Sequence, residues 1–195
     1  MSNAPRLAVL GSGKGSNFVA IQEAILAGKL EAQIVLVVSD LPNALILSRA
    51  AAFGLRTSTL PPSPFRTKLG PEGETALVKL LRDHAVEWVV LAGYMRVVKE
   101  PLLSAFPNRI VNIHPSLLPA FKGLRAWEQA LAAGVPETGC TVHFVNRDVD
   151  AGEIIAQRRV PVMAGDTAET LHARIQMAEH ELYPAALAKL FRRTE

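Results

Sequence analysis

Two polar side chains of complementary chemistry stand two residues apart in RIVNIHPSLLP. In a β-like run, Asn112 and His114 share one face, while Val111 and Ile113 point the opposite way into apolar packing. Pro115 ends regular pairing, which puts the pair at the mouth of a sheet, where open α/β folds bind ligands. An imidazole exchanges protons near neutral pH, and a carboxamide donates a hydrogen bond to an oxyanion. Together they suit acyl-type transfer through a tetrahedral intermediate. No nucleophilic Ser or Cys is evident beside them, and a hydrogen-bonded structural pair is the other reading. Downstream, the loop NRDVDAG holds Asp148 and Asp150, either as a carboxylate that orients His114 or as a solvated turn.

A second constellation is glycine-rich. AVLGSGKGSNF places Gly11, Gly13 and Gly15 between a β-like run and a helical one, where backbone amides and the positive end of the helix attract an anion, phosphate above all. It matches neither nucleotide signature. G-x-G-x-x-G from Gly11 needs a third glycine where Ser16 stands, and a Walker loop ending at Lys14 needs glycine in place of Ala8 and Ser or Thr in place of Gly15. The competing reading is a tight turn that needs glycine for steric reasons alone.

The remaining candidates are weaker. His143 alternates with Val142 and Phe144, so it points away from their apolar face, toward the site, as a supporting hydrogen-bonding group. His84 is expected at the surface. His180 and Glu181 open an H-E-x-x-H pattern that Pro184 breaks, so no metal site is indicated. Cys140, in phase with Val142 and Phe144, is a small buried filler.

Positioning these groups requires alternating strands and helices. β-like runs over Leu7 to Leu10, Ile34 to Ser39, Thr57 to Leu60 and Trp88 to Ala92 are separated by helical stretches over Asn17 to Ala27, Ala44 to Ala52 and about Glu74 to His84, with a Pro-rich loop, LPPSPF, before the last. IVLVVS and WVVLAG are continuously apolar, as parallel strands covered on both faces must be. The second half reads as strand Arg109 to His114, helix Ala126 to Ala133, strand GCTVHFV and strand Glu153 to Val162, with antiparallel pairing permitted. A closing helix starts at Asp166, capped by Asp166 and Glu169, with apolar positions Leu171, Ile175, Ala178 and Leu182; Pro184 is expected to kink or end it. The fold class is α/β: one doubly wound, Rossmann-like domain, parallel in its first half with a mixed sheet in its C-terminal half. Its domain spans 1–195, with 1–5 as a frayed terminus.

Composition bounds the function. The chain has 195 residues, 49% hydrophobic and 20% charged, as one globular domain requires. Its 21 basic and 18 acidic residues leave +3, too small an excess to neutralise a run of nucleic-acid phosphates but suited to a small anionic ligand. The single cysteine excludes an intrachain disulfide and makes the cytoplasm the simplest location. The apolar runs fall well short of the ~20 residues that cross a bilayer, so no membrane association is expected. The oligomeric state is left open, a homodimer included.

GKGSN, LAGYMR, NIHPSLLP, TVHFV and DAG, in this order, resemble the folate-dependent formyltransferases. GKGSN and the near-minimal length are similar to the glycinamide ribonucleotide transformylase branch, and the resemblance runs from Leu7 to Phe191. It implies transfer of the formyl group of the cosubstrate 10-formyltetrahydrofolate to the amine of 5'-phosphoribosylglycinamide, in de novo purine biosynthesis, without a metal. Asn112, His114 and Asp150 match the catalytic trio, and Gly15, Ser16 and Asn17 the turn that holds the phosphate. Gln176 and Glu179 match residues that bind the glycinamide end; with His172 and Tyr183 they make a polar helical stripe, for which plain surface exposure is the other reading. Met95, Arg96, Val97 and Val98 match the segment whose backbone grips the pterin, and Asn146, Arg147, Asp148 and Val149 its other wall. Lys68 is the counterpart of a folate-side cation, with Arg66 competing. Arg125 and Trp127 stand where some members carry histidine, and Ala151 where some have glycine. The rivals are methionyl-tRNA formyltransferase and formyltetrahydrofolate hydrolase, expected to be longer chains, and a non-catalytic nucleotide-binding module.

Overall fold

The computed structural model describes residues 4–192. Seven strands form one sheet, β1 (Arg6–Leu10), β2 (Gln33–Ser39), β3 (Thr57–Thr59), β4 (Trp88–Leu91), β5 (Ile110–His114), β6 (Glu137–Phe144) and β7 (Ile154–Pro161), in the order β3-β2-β1-β4-β5-β6-β7. Pairing is parallel from β3 through β5 and antiparallel for β5–β6 and β6–β7. This is the doubly wound, then mixed, sheet expected.

Alternation in the central strands feeds two cores. Leu7, Val9, Trp88, Val90, Val111 and Ile113 pack on one side with Phe18 and Ile21 of α1 (Ser16–Leu26), Ile46 and Ala50 of α2 (Leu45–Ala52), and Tyr183, Leu187 and Phe191 of the closing helix. Ala8, Leu10, Val89, Leu91 and Ile110 face the other way, onto Leu77, Val78 and Leu81 of α3 (Pro71–Asp83) and Leu102 of the short α4 (Leu102–Ala105). α5 (Ala126–Ala132) and α6 (Ala168–Phe191) cover the antiparallel end. α3 begins earlier than expected, because Pro71 suits the first helical position, where no amide proton is required.

Two expectations about the closing helix are corrected. Its cap is Thr167, whose side chain accepts from the Thr170 amide while Thr170 bonds back to the Thr167 amide; Asp166 instead bonds the Met163 amide and pairs with Arg174. Pro184 neither ends nor interrupts the assignment: α6 continues to Phe191, because Tyr183, Ala186, Leu187 and Phe191 are buried against the sheet and outweigh one missing backbone hydrogen bond. Tyr183 is fully buried, its hydroxyl 3.0 Å from the carbonyls of both Leu91 and Val111, so α6 is fastened to the ends of β4 and β5. At the N-terminus, residues 1–3 lie outside the described residues, and Pro5 is held by the Gln33 amide, so the expected frayed end does not extend to it.

Candidate active site

Antiparallel pairing builds the centre of the site. Asn112 of β5 lies directly opposite His143 of β6, and opposed residues share a face, so the two meet without any loop. His143 Nδ1 is 2.8 Å from its neighbour's carbonyl, Phe144 O, and donates to it; Nε2 then accepts from Asn112 Nδ2 at 3.3 Å. Burial holds the His143 imidazole below its usual range, against the Phe144 hydrogen bond and the Asp150 charge, and the neutral ring suits this role. One amide proton of Asn112 is thereby used and one is left for the cleft that the residue lines.

His114, 5% exposed, stands between two acceptors: Nε2 is 2.9 Å from Phe121 O and Nδ1 3.3 Å from Asp150 Oδ2. Only the doubly protonated ring donates to both. Asp150 is fixed by the Gly123 amide at 2.9 Å, and its other oxygen lies 3.7 Å from His143 Nε2. The carboxylate therefore faces both imidazoles. The loop that carries it is shaped locally. Asn146 accepts from the Asp148 amide and donates to Ala151 O, Asp150 adopts a left-handed φ of 49°, and a Cβ on Gly152 would come within 1.7 Å of Phe144 O, so only glycine passes there. Behind His114, Thr141 donates to Ser116 O and accepts from the Leu118 amide and Gln157, pinning the PSLLP segment to β6.

These groups open on a cleft of about 350 Å³ whose wall includes Met95, Arg96, Val97 and Val98 on one side and Asn146, Asp148, Val149 and Asp150 on the other. Arg147, expected in the wall, and Lys68, expected as a folate-side cation, do not line this cleft. The Arg147 guanidinium reaches Glu100, and the Lys68 ammonium lies over the Phe65 ring, 4.7 Å from its centroid, while Lys68 lends only backbone, bridged to Val97. A larger open groove of about 1040 Å³ between α1 and α6 touches Ser16 but none of the acid–base groups.

The cleft-lining segment 95–98 has an anchor that sequence reading did not identify. Asp40, just past the end of β2, accepts from Ser12 Oγ and pairs with Arg96 Nε at 2.6 Å, the two charged side chains being 6% and 11% exposed. Arg96 also donates to the carbonyls of Phe65 and Lys68, and Ser12 Oγ accepts from the Met95 amide at 2.9 Å. Asp40→Ala leaves Arg96 its two carbonyls, so a loss of about 2 kcal/mol in urea unfolding is expected, the usual worth of a charged hydrogen bond.

At the glycine turn, Gly15 is the left-handed N-cap of α1, with φ 71°, and a Cβ there would lie 2.7 Å from Ile46. Glycine is thus required at this residue on steric grounds. Asn17, in the first turn, donates to Glu179 Oε2 at 2.9 Å. The stripe on α6 is not a surface face, because Tyr183 and Glu179 are buried; His172 and Gln176 are half-buried. Burial pushes the Glu179 carboxyl up to about 7, against the Asn17 hydrogen bond. Burial likewise pushes the Cys140 thiol up to about 12, as befits an unreactive filler. His84 is half-buried, its Nδ1 2.9 Å from Leu80 O, not the free surface group expected.

A family model described as "Formyl transferase" matches residues 5–187. The chain belongs to the formyl transferase family. Among its relatives in the family, a phosphoribosylglycinamide formyltransferase from Bacillus subtilis is 42% identical over 95% of this chain and 94% of its own length. A trifunctional purine biosynthetic protein, adenosine-3, from Homo sapiens is 43% identical over 93% of this chain, which spans 18% of that longer protein. The crystal structure of glycinamide ribonucleotide transformylase 1 from Symbiobacterium toebii superposes with a TM-score of 0.93 at 45% identity, covering all of this chain and 90% of the other. Among the described residues, no group of three His, Cys, Asp or Glu side chains is placed to hold a metal ion, and no helix is long and apolar enough to cross a membrane.

Proposed function

We propose that this formyl transferase moves the formyl group of 10-formyltetrahydrofolate onto the amine of 5'-phosphoribosylglycinamide, a step of de novo purine biosynthesis. The observation that carries the reading is the Asp150–His114 contact of 3.3 Å beside Asn112 at the rim of a ligand-sized cleft. The ribonucleotide amine attacks the formyl carbon directly. The second amide proton of Asn112 and an N–H of His114, Nε2 exchanging Phe121 O for substrate oxygen, stabilise the oxyanion of the tetrahedral intermediate. Asp150, 3.3 Å from His114 Nδ1, orients the imidazole and aids transfer of the amine's proton to the departing folate nitrogen, so the products are the formylated amine and tetrahydrofolate. No covalent enzyme intermediate and no metal enter the scheme. Folate lies against 95–98 and 146–149, with Lys68 or Arg66 as the cation for its acidic tail. The ribonucleotide places its phosphate at Gly15, Ser16 and Asn17 and its glycinamide end near Gln176 and Glu179. The reaction needs neither membrane nor nucleic acid and belongs in the cytoplasm. A steady-state assay of formyl loss, run with and without the ribonucleotide, tests it: turnover that depends on the acceptor is expected. Equal turnover without acceptor identifies a hydrolase instead, and calorimetric binding of ribonucleotide but not folate identifies a sensor.

A further inference from the structure

Most charged groups around α6 are engaged: Arg174 pairs with Asp166, Arg158 with Glu181, and Asn17 with Glu179. One cluster is different. Lys14, Trp127, His172 and Gln176 make no side-chain hydrogen bond or ion pair among the described residues, and the single contact tying two of them together is a ring stack. The Trp127 and His172 rings lie 3.8 Å apart and 7° from parallel. This stack joins α5 to α6 at the edge of the acid–base cleft, which Trp127 lines. His172 precedes Gln176 by one helical turn, and Gln176 precedes Glu179 by another. Lys14, an exposed side chain, immediately precedes the Gly15 cap of α1, whose first turn is tied to the His172–Gln176–Glu179 face of α6 by the Asn17–Glu179 hydrogen bond. Burial first and the Lys14 charge second hold that imidazole below its usual range. A further unsatisfied group belongs to the same place. Asn17 is 9% exposed, and its Oδ1 is buried with no hydrogen-bond partner, while Nδ2 of the same amide is held by Glu179. An acceptor left unpaired at such burial costs free energy unless a ligand hydroxyl donates to it.

A cation, a ring N–H and an amide gathered at a helix N-terminus bind a phosphate monoester. A hydroxyl-bearing sugar attached to that phosphate supplies the donor that Asn17 lacks. We propose that Lys14 and His172 bind the phosphate of the ribonucleotide and that Trp127, stacked on His172, is the positioning residue that holds the imidazole for it. This rests on the ribonucleotide reading above, and it adds a charge and a ring to the turn of Gly15, Ser16 and Asn17.

The test compares two acceptors, the ribonucleotide and its dephosphorylated glycinamide riboside, on the full chain. Lys14→Ala is expected to raise KM for the ribonucleotide about tenfold, or about 1.4 kcal/mol. His172→Ala and Trp127→Ala are expected to raise it about fivefold, with Trp127→Phe restoring most of the loss and Lys14→Arg all of it. KM for folate stays within twofold in the Lys14 and His172 variants. On the riboside, the Lys14 and His172 variants should match the parent. Unchanged KM for the ribonucleotide, or equal losses on both acceptors, overturns the assignment. Calorimetry with ribose 5-phosphate, against ribose, separates this site from the reaction: Lys14-dependent phosphate binding without formyl transfer sinks the proposed function and keeps the site. Acceptor-dependent transfer insensitive to Lys14 does the reverse, and a parent chain that binds no ribose 5-phosphate and transfers nothing sinks both.

Discussion

Asp150→Asn is expected to lower turnover by roughly 10² to 10⁴, the usual worth of a positioned acid–base group, and His114→Ala by a similar factor. The substitution is nearly isosteric, and one oxygen of the new amide can still accept from the Gly123 amide that fixes Asp150 at 2.9 Å. The loop should therefore stay in place. What disappears is the negative charge 3.3 Å from His114 Nδ1. Without it, the amide oxygen that stays on the Gly123 amide still faces His114 Nδ1 but carries no net charge, so the imidazolium that stabilises the oxyanion loses its counter-ion at the moment it is needed. Because His114 and Asp150 act as a unit, the double variant should lose little more than either single one. The measurement is kcat at saturation in both substrates, with circular dichroism to show that the fold is kept. A loss below about threefold removes Asp150 and His114 from the chemistry.

The legibility of this site in the sequence follows from how each part is encoded. Period-two alternation places Asn112 with His114, and it separates His143 from the apolar Val142, because a strand has no other way to orient side chains. The glycine turn was legible for the same kind of reason: a left-handed N-cap packed against Ile46 admits no Cβ. The parts that were not legible depend on tertiary register. Asp40 sits alone after a buried strand and acquires meaning only because β1 lies between β2 and β4, which brings Ser12, Asp40 and Arg96 to one edge. Lys68, a folate-side cation only by resemblance, has a setting that its residue type does not encode: its backbone is bridged to Val97 and its ammonium lies over the Phe65 ring. Pro184 misled through a local rule: a lone proline outweighs helix propensity in an exposed helix but not in one whose flanking Tyr183 and Leu187 are wholly buried. The stripe from His172 to Tyr183 was read as polar by residue type; its lower half is buried because Asn17 and the strand carbonyls supply partners there.

That buried half predicts a substitution that strengthens the fold while weakening the site. Glu179 is 6% exposed, and burial raises its carboxyl from 4.5 to about 7. The folded chain thus holds this proton more tightly than the unfolded chain. As pH rises through 4.5 the unfolded ensemble gives it up first, so stability falls between about 4.5 and 7, and above 7, with both states ionised, the cost is constant at roughly 3 kcal/mol. Glu179→Gln removes the ionisation but keeps an oxygen to accept from Asn17 Nδ2. Urea unfolding should show parent and variant equal near pH 4, and the variant more stable by roughly 1 to 3 kcal/mol at pH 8. Glu74, also raised to about 7 by burial, steepens both curves alike and cancels in their difference. The same variant should bind the ribonucleotide more weakly, since a neutral amide replaces the carboxylate that orders Asn17 at the head of α1. A variant less stable than its parent at pH 8 would show that the Asn17 contact outweighs desolvation. The opposite result identifies Glu179 as a group retained for substrate at the expense of stability, as buried charges in binding sites commonly are.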